Sequence, residues 1–196
     1  MDQGDPIADL FVAQSDRPEH VGGVNLRTLS PYHRALLATD GTVTKFIEAY
    51  KMQRVRIRHL GQESRVLTQP HRWLDIAAGS EVIVREVSLE GQESHELYAY
   101  AVSLVVPDRL EEKARRSLTV DGDGLGRILL RNRVESFREI LWFGRETLTV
   151  LPSALARFRG QDFLSRTYRI IVGGKPVMLI SEKFPCREDD GLPLHH

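Results

Sequence analysis

One cysteine, Cys186, is all the chain has, so an internal disulfide and a thiolate zinc cluster are both excluded. Charge of either sign is not in excess. The 27 Lys and Arg residues equal the 27 Asp and Glu residues, which leaves no global field to attract nucleic acid or an acidic membrane. No apolar run approaches the roughly 20 residues of a membrane span. The opening Met1-Asp2-Gln3-Gly4-Asp5 lacks the basic and apolar parts of a signal peptide. A cytoplasmic protein with neither a nucleic-acid nor a membrane partner is the expectation.

Motifs for the common chemistries are also missing. Of the 7 histidines, His33, His59, His71 and His95 are scattered without an i, i+4 pair, and His195-His196 are set aside as a tag-like ending, so no metal site is expected. Ser103 and Ser181 lack a nucleophile-elbow context. Asp121-Gly122-Asp123-Gly124-Leu125-Gly126 has too few carboxylates for a calcium loop. It follows no first strand of a βαβ unit, and no phosphate-loop lysine comes after it. It reads as a turn before a short helix, Leu125 to Leu130, with free backbone N–H groups at Leu125 and Gly126. The stretch Arg127 to Arg145 is rich in arginine (Arg131, Arg133 and Arg138 lie between). Glu135 and Glu139 interrupt it, and a solvated face is the simpler reading.

What is present is an ordinary globular composition, 41% hydrophobic and 28% charged over 196 residues, enough for one domain with its own core. Residues 1–28, rich in Gly, Asp and Pro, read as an N-terminal extension laid over a domain at 29–186, with a tail at 187–196. Ser30-Pro31 starts a helix, Asp40-Gly41 breaks it, and Val43, Phe46, Ile47 and Tyr50 recur at helical spacing after Thr42. From Arg54 the period changes to two. Strands are expected from Val55, at 81–90 and 96–106, at 134–143, and at 165–172 and 176–184 around Gly173-Gly174. Leu97 to Val106 is apolar on both faces, as a central strand would be. Helices are expected from Arg109 to about Leu118 and near 152–159. Short turns between neighbouring strands imply antiparallel pairing, hence an α+β fold.

Two charged residues sit on the wrong face of their strands. Glu182 alternates with Met178, Ile180 and Phe184, and Arg85 with Ile83, Val87 and Leu89. A carboxylate on an apolar face is costly unless paired or used, and a guanidinium cannot shed its charge. Either Arg85 and Glu182 form a buried structural pair, or together they grip a small charged or hydroxylated ligand.

Five segments carry a resemblance to a known family. They are Leu37-Ala38-Thr39-Asp40-Gly41-Thr42-Val43-Thr44, Val84-Arg85-Glu86-Val87-Ser88-Leu89, Ser103 to Leu110, Leu125-Gly126-Arg127, and Arg169 to Phe184 with its Gly173-Gly174-Lys175-Pro176 turn. In this order and spacing the chain resembles the chorismate pyruvate-lyase (4-hydroxybenzoate synthase) family, in particular its actinobacterial and cyanobacterial branch, over about residues 35–185.

The resemblance implies a six-stranded antiparallel sheet with helices on one side and helical flaps over an enclosed pocket. It places a carboxylate-binding arginine at Arg85 and a glutamate at Glu182 that meets the ring hydroxyl, either as an acceptor alone or as a general base, both as catalytic residues, with carboxylate-binding backbone N–H groups at Val43 and Leu125. The implied reaction converts chorismate to 4-hydroxybenzoate and pyruvate with no cofactor. The partner is then a small aromatic or cyclohexadienyl carboxylate. Gly124 stands where the family usually has proline, and Val102 where its nearest members are often acidic. Two alternatives stay open, the first of them raised by these departures. One is a divergent member acting on another natural-product intermediate. The other is a non-catalytic sensor of aromatic acids, like the same fold fused to winged-helix domains; for that, the residues before Ser30 are too few to form such a domain.

Overall fold

The computed structural model describes residues 5–120 and 133–186. Six strands form one antiparallel sheet: β1 (Val55–Val66), β2 (Glu81–Gly91), β3 (Leu97–Val105), β4 (Phe137–Thr147), β5 (Asp162–Val172) and β6 (Lys175–Pro185). Their order is β1-β2-β3-β6-β5-β4. Two three-stranded meanders thus meet at β3 and β6, which pair Tyr100 with Lys183 through Val105 with Met178. The strand that is apolar on both faces lies at the centre, as expected. Gly173 and Gly174 both take positive φ in the β5–β6 turn, the backbone that a two-residue hairpin of this hand requires.

Helix α1 (Pro31–Ala38) begins where Ser30 Oγ accepts from the His33 N–H, with Pro31 at its first position. Helix α2 (Val43–Lys51) follows after Asp40-Gly41. Both lie on one face of the sheet, where Leu36, Leu37 and Ile47 are completely buried among Leu164, Ile170, Ile180 and Phe184. A third helix, α3 (Glu112–Val120), lies in the connection from β3 to β4.

Among the described residues, the opposite face is closed without an α-helix. Leu74, in the connection from β1 to β2, packs on Val82 and Val106. Arg109 pins that connection by donating to the carbonyls of Leu74, Asp75 and Pro176 at 2.5–2.6 Å. A 3-10 helix, Ser153–Phe158, stands where a helix was expected and sets Leu155 against Leu97, Tyr100 and Phe163. β1 is longer than the period-two pattern indicates. A bulge between His59 and Gly61 shifts the alternation, so Leu60 turns to the far face. Among the described residues no helix is long and apolar enough to cross a membrane.

The edge of β4 is covered by the chain's own N-terminal residues. The N–H groups of Val12 and Ala13 donate to Ile140 and Leu141, and Gly22 and Arg145 exchange both backbone bonds. Gln14 both donates to and accepts from the Phe143 backbone at 2.9 and 3.0 Å. A covered edge cannot template pairing with another chain.

Gly144 lies beneath this strap. A Cβ there would meet the Gly22 carbonyl and come within 2.6 Å of Val21 Cγ1, so the strap would have to move. Gly144→Ala should destabilise the fold by about 1–3 kcal/mol, as overpacking does. A lower urea midpoint and faster proteolysis within residues 5–24 would show it; unchanged values would mean that the strap is loosely held.

Candidate functional site

Strand register gathers the misplaced residues. Arg85 pairs with Ser103, Ser103 with Ile180, and Ile180 with Tyr168; one row along, Val87 pairs with Ala101, Ala101 with Glu182, and Glu182 with Arg166. Partners across a sheet share a face, so all eight lie on the side that carries α1 and α2. Ala101 and Ser103 are small, and they leave room at mid-sheet between Arg85 and Glu182. That room is a cavity walled by Ile57, Val87 and Leu89 and roofed by Gly41 to Thr44, with Arg85, Glu182, Tyr168 and Arg138 at its margin.

The roof is the start of α2. Thr42 occupies the N-cap position and makes no side-chain capping bond, unlike Ser30 at α1. An uncapped helix start carries partial positive charge and unsatisfied N–H groups, which suits an anion. Val43, the first residue of α2, is therefore at the cavity as expected. Leu125, the other expected N–H donor, lies outside the described residues, as does the short helix after it.

The two charged residues are satisfied differently from the simple pairing that their patterns suggest. Glu182 is paired with Arg166: Arg166 Nε donates to Glu182 Oε2 at 2.9 Å, with only 1% of the arginine side chain exposed. The same guanidinium donates to the carbonyls of Leu37 (3.1 Å) and Thr39 (2.7 Å) at the end of α1. Tyr168 Oη donates to Glu182 Oε1 at 3.2 Å. Burial, reinforced by the Glu182 charge, pushes the Tyr168 phenol well above its ordinary range, against the opposing charges of Arg166 and Arg138. It is a protonated donor at any ordinary pH.

Arg85, 1% exposed, has its Nη2 3.4 Å from His59 Nε2. Burial presses its pKa downward, but from so high a value that it stays cationic.

Sequence reasoning passed over Arg166, although the parity test that marked Arg85 marks it too: it alternates with Leu164, Tyr168 and Ile170. Arg138 was grouped with a solvated face. That reading suits Arg133 and Glu135, which are exposed. It does not suit Arg138, half-buried at the cavity, or Glu139, which pairs with Arg169 at 2.5 Å.

Fold and cavity together define an α+β protein with a sheet-floored pocket bounded by buried charges. The chain belongs to the Rv2949c-like chorismate pyruvate-lyase family, whose model matches residues 37–189. It is 30% identical over 169 residues to a chorismate pyruvate-lyase of Mycobacterium tuberculosis, covering 81% of this chain and 82% of that one. To the Mycobacterium leprae chorismate pyruvate-lyase it is 29% identical, over 81% and 76%. Among solved structures, the effector domain of PhnF from Mycobacterium smegmatis superposes with a TM-score of 0.57 at 8% identity, covering 84% of this chain and 91% of that one. That likeness concerns the fold alone.

Removing one partner of a buried ion pair leaves the other uncompensated. Arg166→Met should therefore cost about 3–5 kcal/mol of stability, whereas the double variant R166M/E182M should recover much of it. Urea unfolding of both variants measures this. A single variant as stable as wild type would show that the pair holds nothing together.

Proposed function

We propose that the protein is a chorismate pyruvate-lyase, converting chorismate to 4-hydroxybenzoate and pyruvate. The observation that carries the reading is the meeting, in one cavity, of Arg85, Glu182 and the uncapped start of α2, within a chain that belongs to this lyase family. Chorismate has a ring carboxylate and, para to it, a ring hydroxyl. Arg85 takes the ring carboxylate through charge-assisted hydrogen bonds, and the Val43 N–H at the start of α2 adds a donor. Leu125 supplies a second N–H by the family's pattern. Glu182, oriented by Arg166 and Tyr168, accepts a hydrogen bond from the ring hydroxyl.

The reaction is an elimination. The bond between the ring and the ether oxygen breaks, and enolpyruvate leaves with that oxygen and the bonding pair. The proton on the hydroxyl-bearing ring carbon departs, and its electron pair completes the aromatic ring. Enolpyruvate takes up a proton at its methylene carbon and becomes pyruvate. Atoms and electrons balance between chorismate and the two products, and aromaticity supplies the driving force. The protein's share is to hold the anion in a dry site, align the departing C–O and C–H bonds, and fix the hydroxyl. Because Glu182 already binds a guanidinium and a phenol, its part in this scheme is that of an oriented acceptor.

A sensor role is less well supported. Solved structures of regulators from Escherichia coli and Bacillus subtilis share the fold at 10% identity, while the lyases match in sequence over most of the chain.

Incubation with chorismate should yield pyruvate and 4-hydroxybenzoate in equal amounts, followed by lactate dehydrogenase coupling and chromatography. Folded protein giving neither would sink the proposal. Arg85→Ala should lower kcat/KM by roughly 100-fold or more, the loss expected for a buried charged hydrogen-bond donor. Near-normal turnover would remove Arg85 from the site.

A further inference from the structure

Chorismate is a dianion, and the residues assigned so far account for only one of its carboxylates. Arg85 and the α2 start serve the ring carboxylate, while Arg166 is consumed by Glu182 and the end of α1. One more cation lines the cavity, Arg138 on β4. It donates through Nη1 to the Asp40 carbonyl at 3.1 Å, and it joins no salt bridge among the described residues. Asp40 directly precedes the Gly41 to Thr44 roof, so this contact holds the guanidinium beside the cavity mouth.

We propose that Arg138 binds the carboxylate of the leaving enolpyruvyl group and thereby selects the dianionic substrate over the monoanionic product. The inference rests on the lyase reading and adds to it a subsite for the second carboxylate. Strand order supplies the geometry. Arg85 on β2 and Glu182 on β6 are two strands apart, and Glu182 and Arg138 on β4 are again two strands apart, about 10 Å across the sheet in each case. Along the strands Arg138 lies opposite Ile170, four residues from the Arg166 that faces Glu182, so it stands to one side of the line from Arg85 to Glu182, where a substituent beside the ring hydroxyl can project. In chorismate the ring hydroxyl lies para to the ring carboxylate, and the enolpyruvyl ether is on the neighbouring carbon. A ring laid from Arg85 to Glu182 therefore projects its side chain onward, past Tyr168 on β5, toward β4. The sequence of charges across the sheet (cation, anion, cation) matches the sequence along the substrate (carboxylate, hydroxyl, carboxylate). No other cationic side chain lines the cavity among the described residues.

A contact made to the side chain is lost once enolpyruvate leaves, because 4-hydroxybenzoate has no group that reaches Arg138. The residue should thus affect substrate and product unequally. Arg138→Met keeps the length of the stem and removes the charge; Arg138→Lys keeps a charge.

The test is steady-state kinetics with chorismate and inhibition by 4-hydroxybenzoate. Calorimetric binding of 4-hydroxybenzoate and of 3-(1-carboxyvinyloxy)benzoate, a stable aromatic dianion with the same side chain, accompanies it. In Arg138→Met, KM for chorismate and Kd for the dianion should rise roughly 10- to 100-fold, the span of one charged hydrogen-bonding contact. Constants for 4-hydroxybenzoate should stay within about threefold, and Arg138→Lys should restore part of the loss. Equal weakening of both ligands, or of neither, overturns the assignment. The calorimetric comparison does not need turnover. A wild type that binds both ligands but releases no pyruvate from chorismate overturns the lyase reading alone, and one that binds neither overturns both.

Discussion

The buried contact between Arg166 and Glu182 is the constraint around which the site is arranged. Taking both charges out of water costs several kcal/mol per ion before any return, so the pair persists only with its other hydrogen-bonding capacity filled. It is filled from two directions: Tyr168 on β5 donates to Glu182, and the carbonyls of Leu37 and Thr39 at the end of α1 accept from Arg166. A guanidinium at a helix C-terminus also meets the negative end of that helix's dipole. Arg166 thus ties the sheet to the chain segment that ends α1. Only Asp40, Gly41 and Thr42 separate that segment from the start of α2, so fixing the one end fixes the other. The uncapped N-terminus of α2 is held over Ala101 and Ser103 because a buried ion pair on the next two strands, β6 and β5, holds the preceding turn.

Much of this arrangement was legible in the sequence because strand parity is a strict rule. Glu182 and Arg85 each broke an alternating pattern, and both prove to line the same cavity. Ser30-Pro31 and Asp40-Gly41 marked α1 and its end because capping and helix breaking are local chemistry. Less legible was which partner each charge would take. Parity gives the face of a residue but not its neighbours across the sheet; those follow from strand order. The crossover that seats β6 between β3 and β5 puts Arg166 directly opposite Glu182. The 3-10 form of Ser153–Phe158 and the bulge near Leu60 were hidden for a similar reason. Each is decided by what the segment packs against, the same apolar cluster in both cases, and not by its own period.

Arg138 shows the limit of charge counting along the chain. Arginines alternating with glutamates usually describe a wetted surface, and Arg133 and Glu135 conform. Three to five residues further on the same composition enters β4, and there the strand decides. Arg138 falls on the face that β5 shares with Tyr168, whereas Glu139 turns away to meet Arg169. A composition rule applied across a loop–strand boundary averages two environments that physics separates.

The likeness to the PhnF effector domain then takes on a definite meaning. A shared sheet with helices over one face is a likeness of architecture alone, and says nothing of what is bound or of what happens to it. Turnover demands that charge be placed for the departing group as well as for the retained one. A pocket that only recognises an aromatic acid needs a cation at one end and an acceptor at the other, which Arg85 and Glu182 provide. A cation beyond the acceptor has no counterpart in such a ligand. In an elimination it has one, because the carboxylate of the leaving fragment lies there. The extra charge at the β4 margin is therefore the feature of this pocket that separates a site built for chorismate from a site built for its product.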